Sequence, residues 1–126
     1  MIFVTQEVQN ICQLAGMEKQ FWNTRYQDNE TVYGTKPNTF FKQFIDSHKP
    51  GTILLPAEGE GRNAVYTSRK GWQVDAFDFS EVAMGKAMQA ASDHNVNINY
   101  WLEELRSFEF RKTYDAIGLI YVHLPE

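Results

Sequence analysis

Apolar positions along this chain follow two different periods, and the change falls near residue 51. Before it, apolar residues recur every three or four positions, the spacing of one face of a helix. Val8, Ile11, Cys12 and Ala15 follow a possible cap at Thr5, and Gly16 closes that segment. Phe21, Trp22, Arg25 and Tyr26 lie on neighbouring faces of a second helical stretch, Glu18 to Gln27, which Asp28-Asn29-Glu30 breaks. Tyr33-Gly34-Thr35-Lys36-Pro37-Asn38 has the chemistry of a loop. Phe40, Phe41, Phe44 and Ile45 then form a stripe that predicts a helix over about Thr39 to His48, with Pro50-Gly51 turning the chain.

From Thr52 the apolar residues come in short continuous runs, as in parallel strands covered on both faces. Ile53-Leu54-Leu55 predicts the first strand. Arg62 to Lys70 predicts a helix, with Gly71 as its C′ residue. Trp72 to Asp78 predicts a second strand. Ser80 and Glu81 predict the start of a helix rich in Ala and Met that runs to about Ser92. Asn97 to Leu102 predicts a third strand, 103 to 110 a loop, and Asp115 to Val122 a fourth strand. Right-handed crossovers place such strands in one parallel sheet. The expectation is an α/β fold: a Rossmann-like three-layer sandwich, with residues 1–50 as an N-terminal helical cover and 51–126 as the core of a single domain.

Composition narrows the function. The 126 residues are 43% hydrophobic and 22% charged, enough for one self-sufficient core. A net charge of −4, with scattered basic residues, argues against nucleic acid as the partner. No run approaches the ~20 apolar residues of a membrane span, and the N-terminus lacks the pattern of a signal peptide. The one cysteine, Cys12, cannot form an internal disulfide and sits in an apolar helical pattern, so a buried thiol and a cytoplasmic setting are expected. His48, His94 and His123 lack metal-ligand spacing; no metal site is predicted, and His48 and His94 fall at helix ends. Neither a G-x-S-x-G elbow nor a P-loop is present.

The chemistry concentrates between the first strand and its helix. Gly59-x-Gly61-x-x-Ala64 satisfies a dinucleotide fingerprint, and Asp78 closes the second strand, where an acid accepts ribose hydroxyls. Glu58 and Glu60 flank Gly59. A pyrophosphate there would meet two carboxylates, each costing about 1 kcal/mol at ~4 Å in water and more near protein. A ligand with ribose and adenine, no phosphate and positive charge avoids that cost. S-adenosylmethionine (SAM) is such a ligand.

With these residues in place, the chain resembles the class I SAM-dependent methyltransferases, in particular their tellurite-resistance and thiopurine-like branch. The resemblance rests on Phe21-Trp22-Asn23-x-x-Tyr26 with Tyr33-Gly34-Thr35-x-Pro37-Asn38, on Leu54 to Ala64, on Val74 to Ser80, and on Leu102-Glu103-Glu104-Leu105 with Tyr114 to Ile117. It implies SAM as cofactor, with Ala57, Glu58, Gly59, Gly61, Asn63, Asp78, Phe79, Ser80, Glu104 and Leu105 in its site. Ala57, Gly59 and Gly61 would admit the methionine part and ribose. Asp78 would hold the ribose hydroxyls, Phe79 would pack on adenine, and Glu104 and Leu105 would border its edge. Tyr33 and Gly34 would close over the methionine end. His123 would face the methyl group as the catalytic candidate. Three positions depart from the pattern: Ala57 replaces the first loop glycine, Glu104 stands for the more usual Asp, and Leu55 replaces an acid that anchors the methionine ammonium, for which Glu58 is the substitute.

The family's sheet has seven strands and this chain has sequence for four, so the C-terminal strands of the methyltransferase fold are expected to be missing. A fourth strand left at an edge is expected to pair with a second copy in a homodimer. The expected acceptor is a small molecule. Two other functions stay open: an NAD(P)-binding oxidoreductase domain, favoured by the glycine spacing, and a cofactor-binding module without catalysis.

Overall fold

A computed structural model of the protein describes Asn23, Gln27 and residues 36–120. The expected helix after Thr5, Cys12, Tyr33, Gly34 and His123 lie outside the described residues. Asn23 and Gln27 are both helical, in the stretch where the second helix was expected.

The described chain runs α1 (Thr39–Ser47), β1 (Thr52–Pro56), α2 (Arg62–Arg69), β2 (Gln73–Asp78), α3 (Glu81–Asp93), β3 (Asn99–Leu102), a single 3-10 turn (Leu105–Ser107) and β4 (Ala116–Ile117). Local chemistry sets the helix ends. The Asn38 side chain accepts the Phe41 N–H at 3.0 Å and starts α1. Ser80 does the same for α3 through the Ala83 N–H at 3.1 Å. Gly71, at φ 94°, follows α2 as its C′ residue and donates its N–H to the Ser68 carbonyl at 3.0 Å. His48 and His94 lie at the ends of α1 and α3, with Nδ1 2.7 Å from the Phe44 carbonyl and 2.9 Å from the Ala90 carbonyl. Both rings thus lie against carbonyls in the last turn of their helices, which already accept the His94 N–H (Ala90) and Ser47 Oγ (Phe44).

All four strands are parallel, in the order β3-β2-β1-β4. Strand alternation divides the core in two. Ile53, Leu55, Val74, Ala76 and Tyr100 face α1, α2 and α3, packing with Phe41, Ile45, Ala64, Val65, Ala87 and Ala91. Leu54 and Phe77 face the other way, and Leu105, Trp101, Phe108, Tyr114 and Ile117 pack there. The 103–114 connection is drawn onto that second face by a polar anchor. Asp75, 8% exposed in mid-strand, accepts Tyr114 Oη at 2.6 Å, Lys112 Nζ at 2.8 Å and Asn99 Nδ2 at 3.2 Å. Burial alone would raise its pKa, but Lys112, Tyr114 and Asn99 outweigh it and hold the carboxyl below its ordinary range. β4 is shorter than its apolar run suggests, two residues paired with β1, although the Gly118 N–H still reaches the Leu54 carbonyl at 2.9 Å. No helix among the described residues is long and apolar enough to cross a membrane.

Candidate functional site

The carboxyl ends of β1 and β2 lie side by side, and a glycine-rich loop leaves the first of them. Three of its residues adopt left-handed backbone: Ala57 at φ 52°, Gly59 at φ 69° and Gly61 at φ 90°. This folds the chain back from β1 into α2 within five residues. Glycine adopts that conformation freely, while an alanine is strained by about 1 kcal/mol. Ala57 therefore keeps the backbone shape of the glycine it replaces. At Gly61 the need for glycine also comes from packing, because an added Cβ would lie 2.8 Å from Ala87 Cβ and 2.9 Å from its Cα.

Asp78 holds this loop from the neighbouring strand. It is 5% exposed, and its carboxylate accepts the Gly59 N–H at 3.0 Å and the Ser80 N–H at 3.1 Å. Burial pushes its pKa up to about 6, against the lowering effect of the N–H groups of Ser80, Gly59 and Phe79. Two more bonds fix the same loop: the Glu58 N–H donates to the Phe77 carbonyl at 3.1 Å, and Tyr100 Oη donates to the Gly59 carbonyl at 2.7 Å. Loop, β2 and β3 are thereby locked together.

The two loop glutamates differ from each other. Glu58 turns its carboxylate onto the start of α2, where it accepts the Ala64 N–H at 2.7 Å. Burial of that carboxyl raises its pKa to about 8, although the Ala64 N–H, Arg62 and Asn63 favour the charged form. Glu60 instead pairs with Lys86 of α3 at 3.1 Å, its side chain 7% exposed. The expectation that both carboxylates confront a ligand's phosphate is thus corrected: Glu60 is neutralised by a lysine 26 positions along the chain, and Glu58 alone stands at the helix start.

The surrounding residues tie the N-terminal part to this corner. Asn63, 3% exposed, accepts the Asn38 N–H through Oδ1 at 2.8 Å, and an Arg62 guanidinium nitrogen donates to the Lys36 carbonyl at 3.2 Å. The end of the Tyr33–Asn38 stretch therefore rests on the first turn of α2. Ser80 Oγ, besides capping α3, donates to Asn23 Oδ1 in a short bond, and Asn23 is buried. Phe79 is half-buried between Asp78 and Ser80. The Glu103 N–H donates to the Asp78 carbonyl at 3.0 Å, so the next turn leaves from the same corner. In that turn Glu104 pairs with Arg106, and Leu105 is buried against the second face of the sheet.

The structure thus gathers Ala57, Glu58, Gly59, Gly61, Asn63, Asp78, Phe79 and Ser80 at one corner, with Glu104 and Leu105 on its margin. Residues of this corner that were not on the expected list include Asn23, Asn38, Lys86 and Tyr100. Asn23 and Asn38 stand in the motifs quoted above, whereas nothing local marks Lys86 or Tyr100.

A parallel sheet in this order, a glycine loop after its first strand and an acid ending the second define a Rossmann-like α/β domain, with the candidate ligand corner at its carboxyl edge. The sequence model of the thiopurine S-methyltransferase family matches residues 17–122, and the chain belongs to that family. No curated protein matches the sequence at a significant level. Among solved structures, TehB from Haemophilus influenzae superposes with a TM-score of 0.64 at 22% identity, over 71% of this chain and 32% of its own. Magnesium protoporphyrin IX methyltransferase from Synechocystis PCC 6803, with bound SAM, superposes at 0.65 and 19% identity, over 82% of this chain and 60% of its own. The tRNA (uracil-54, C5)-methyltransferase of Pyrococcus abyssi, in complex with S-adenosylhomocysteine, gives 0.56 at 22% identity, over 62% and 20%. These likenesses establish a methyltransferase-type fold, of which the chain spans between a fifth and three fifths of the solved chains.

Proposed function

We propose that this chain binds SAM at the corner between β1 and β2 and belongs to a methyltransferase acting on a small-molecule acceptor. The observation that carries this is the bond between Asp78 and the Gly59 N–H, which joins the glycine loop to the strand-end acid. Asp78 has acceptor capacity beyond its backbone donors and suits ribose hydroxyls. The left-handed loop from Ala57 to Gly61 brings backbone close to the ligand. Phe79 supplies an apolar surface for adenine, with Glu104 and Leu105 at its edge. The cofactor would supply an activated sulfonium methyl, leaving the protein to align it and exclude water. Tyr33 and Gly34 would close the site, and His123 would face the acceptor as the one candidate base.

The net charge of −4 supports a small molecule over RNA, even though one structural neighbour is a tRNA methyltransferase. The same reading includes a homodimer in which β4, the edge of the described sheet, pairs with a second copy, and a cytoplasmic location. Thermal shift with S-adenosylhomocysteine and with NAD tests the cofactor. Stabilisation by S-adenosylhomocysteine alone is expected. Stabilisation by NAD alone would make the domain an oxidoreductase fragment, and no shift with either would make it a module without this cofactor.

A further inference from the structure

Gly59 is held at both of its backbone polar groups by side chains from outside its loop. Its N–H donates to the Asp78 carboxylate of β2 at 3.0 Å, and its carbonyl accepts Tyr100 Oη of β3 at 2.7 Å, both bonds being buried. Tyr100 is 9% exposed and ends a row, Leu55, Ala76 and Tyr100, that runs in register across β1, β2 and β3 on the face packed against the helices. The middle position of that row carries only a methyl group. Room is thereby left for the tyrosine ring to lean across β2 to the loop that leaves β1. Asp78 already has a proposed ligand role, whereas Tyr100 belongs to a strand with none. Its hydroxyl fixes one peptide group, that between Gly59 and Glu60. The peptide is trans, so its C=O and N–H point in opposite directions. With the carbonyl drawn to Tyr100, the Glu60 N–H is turned away from β3. Nothing intrinsic to the loop enforces that choice, because glycine tolerates the backbone angles on either side of a peptide flip. Without the hydroxyl, the Gly59 carbonyl would lose its donor in a buried place, and turning the peptide over would relieve it. A loop turned over in this way presents a carbonyl where it had presented an N–H.

We propose that Tyr100 is a positioning residue for the ligand site: it holds the Gly59–Glu60 peptide in one orientation before a ligand arrives, and so sets which backbone group the loop offers to a nucleoside thioether or sulfonium. This rests on the SAM reading above. It makes β3, which touches no ligand in that reading, a determinant of affinity through the shape of the loop.

The test compares the 126-residue chain with Tyr100→Phe, which keeps the ring and its packing and removes the hydroxyl. Two quantities are read at a temperature where both proteins are folded. One is the direction of the Glu60 N–H bond, from residual dipolar couplings in NMR. The other is the affinity for S-adenosylhomocysteine, from calorimetry. The ligand-free variant is expected to show a Glu60 coupling that is changed or averaged, while those of Val65 and Ala76 stay as in the wild type. Its affinity is expected to fall about fivefold, the worth of one neutral hydrogen bond. A residue that serves packing alone would lower the urea midpoint and leave both quantities as they were. An unchanged Glu60 coupling therefore overturns the proposal, and so does an unchanged affinity. Should the variant not fold, the wild type decides. Its Glu60 coupling, scaled to the same alignment, is expected to be equal in the free and liganded protein, and a bond direction that changes on binding overturns the proposal. A wild type that does not bind S-adenosylhomocysteine defeats the SAM reading and this proposal together, whereas the outcomes with the variant bear on Tyr100 alone.

Discussion

Glu58 and Asp78 keep their protons to about pH 8 and about pH 6 in the folded chain, because burial penalises their charged forms. In the unfolded chain both lose their protons near pH 4. Between these limits the folded state binds more protons, so their contribution to stability is full below about pH 4 and is lost as the pH rises to 8. The ligand-free protein is therefore expected to become less stable by about 1 to 3 kcal/mol between pH 5 and 8, read as a falling urea midpoint. Glu58→Gln should flatten the upper part of that decline, and a decline of full size in the variant would show that Glu58 does not cause it. At this scale part of the candidate site's geometry was legible in the sequence. The glycine loop, Asp78 and Ser80 declare themselves through residue type and position at strand and helix ends. The pairing of Glu60 with Lys86 does not, because nothing local specifies which lysine a folded chain brings to a given glutamate.

Among the elements, α3 lies close against the loop before α2. Gly61 allows it, since both its left-handed backbone and the position of Ala87 exclude a side chain. Gly61→Ala is expected to cost about 2 to 4 kcal/mol through overpacking and backbone strain combined. At an m-value of about 2 kcal/mol/M, the urea midpoint should fall by roughly 1 to 2 M. A variant as stable as the wild type would mean that α3 is free to shift. The start of α3 and the end of α2 could be read from sequence because Ser80 and Gly71 act within one turn. The extent of β4 could not. An apolar run shows that a strand is possible, but its length depends on the partner it meets, and the described β4 is the two residues Ala116 and Ile117, in register with Ile53 and Leu54 of β1. Asp75 is the reverse case: an acid in an apolar strand gives no local warning that it will anchor Tyr114 and Lys112.

For the whole molecule, the strand order β3-β2-β1-β4 separates near contacts from distant ones. β1, β2 and β3 follow one another through α2 and α3, whereas β4 crosses to the far side of β1, where Asp115 reaches back 63 positions to the Thr52 N–H at 2.9 Å. Distant pairings carry the larger closure entropy and open more readily when short. Amide hydrogen exchange should therefore protect Ala76 and Leu55 more strongly than Asp115 and Gly118, and equal protection would show that the sheet opens as one unit. The order also has a meaning for synthesis. Residues 52–102 contain the glycine loop, the Asp78 that pins it and the Tyr100 that reinforces it. A nascent chain could thus complete the candidate cradle before β4 emerges, and the proposed cofactor, bound at that stage, would hold β1 in place while one of its flanks is still waiting for a neighbour.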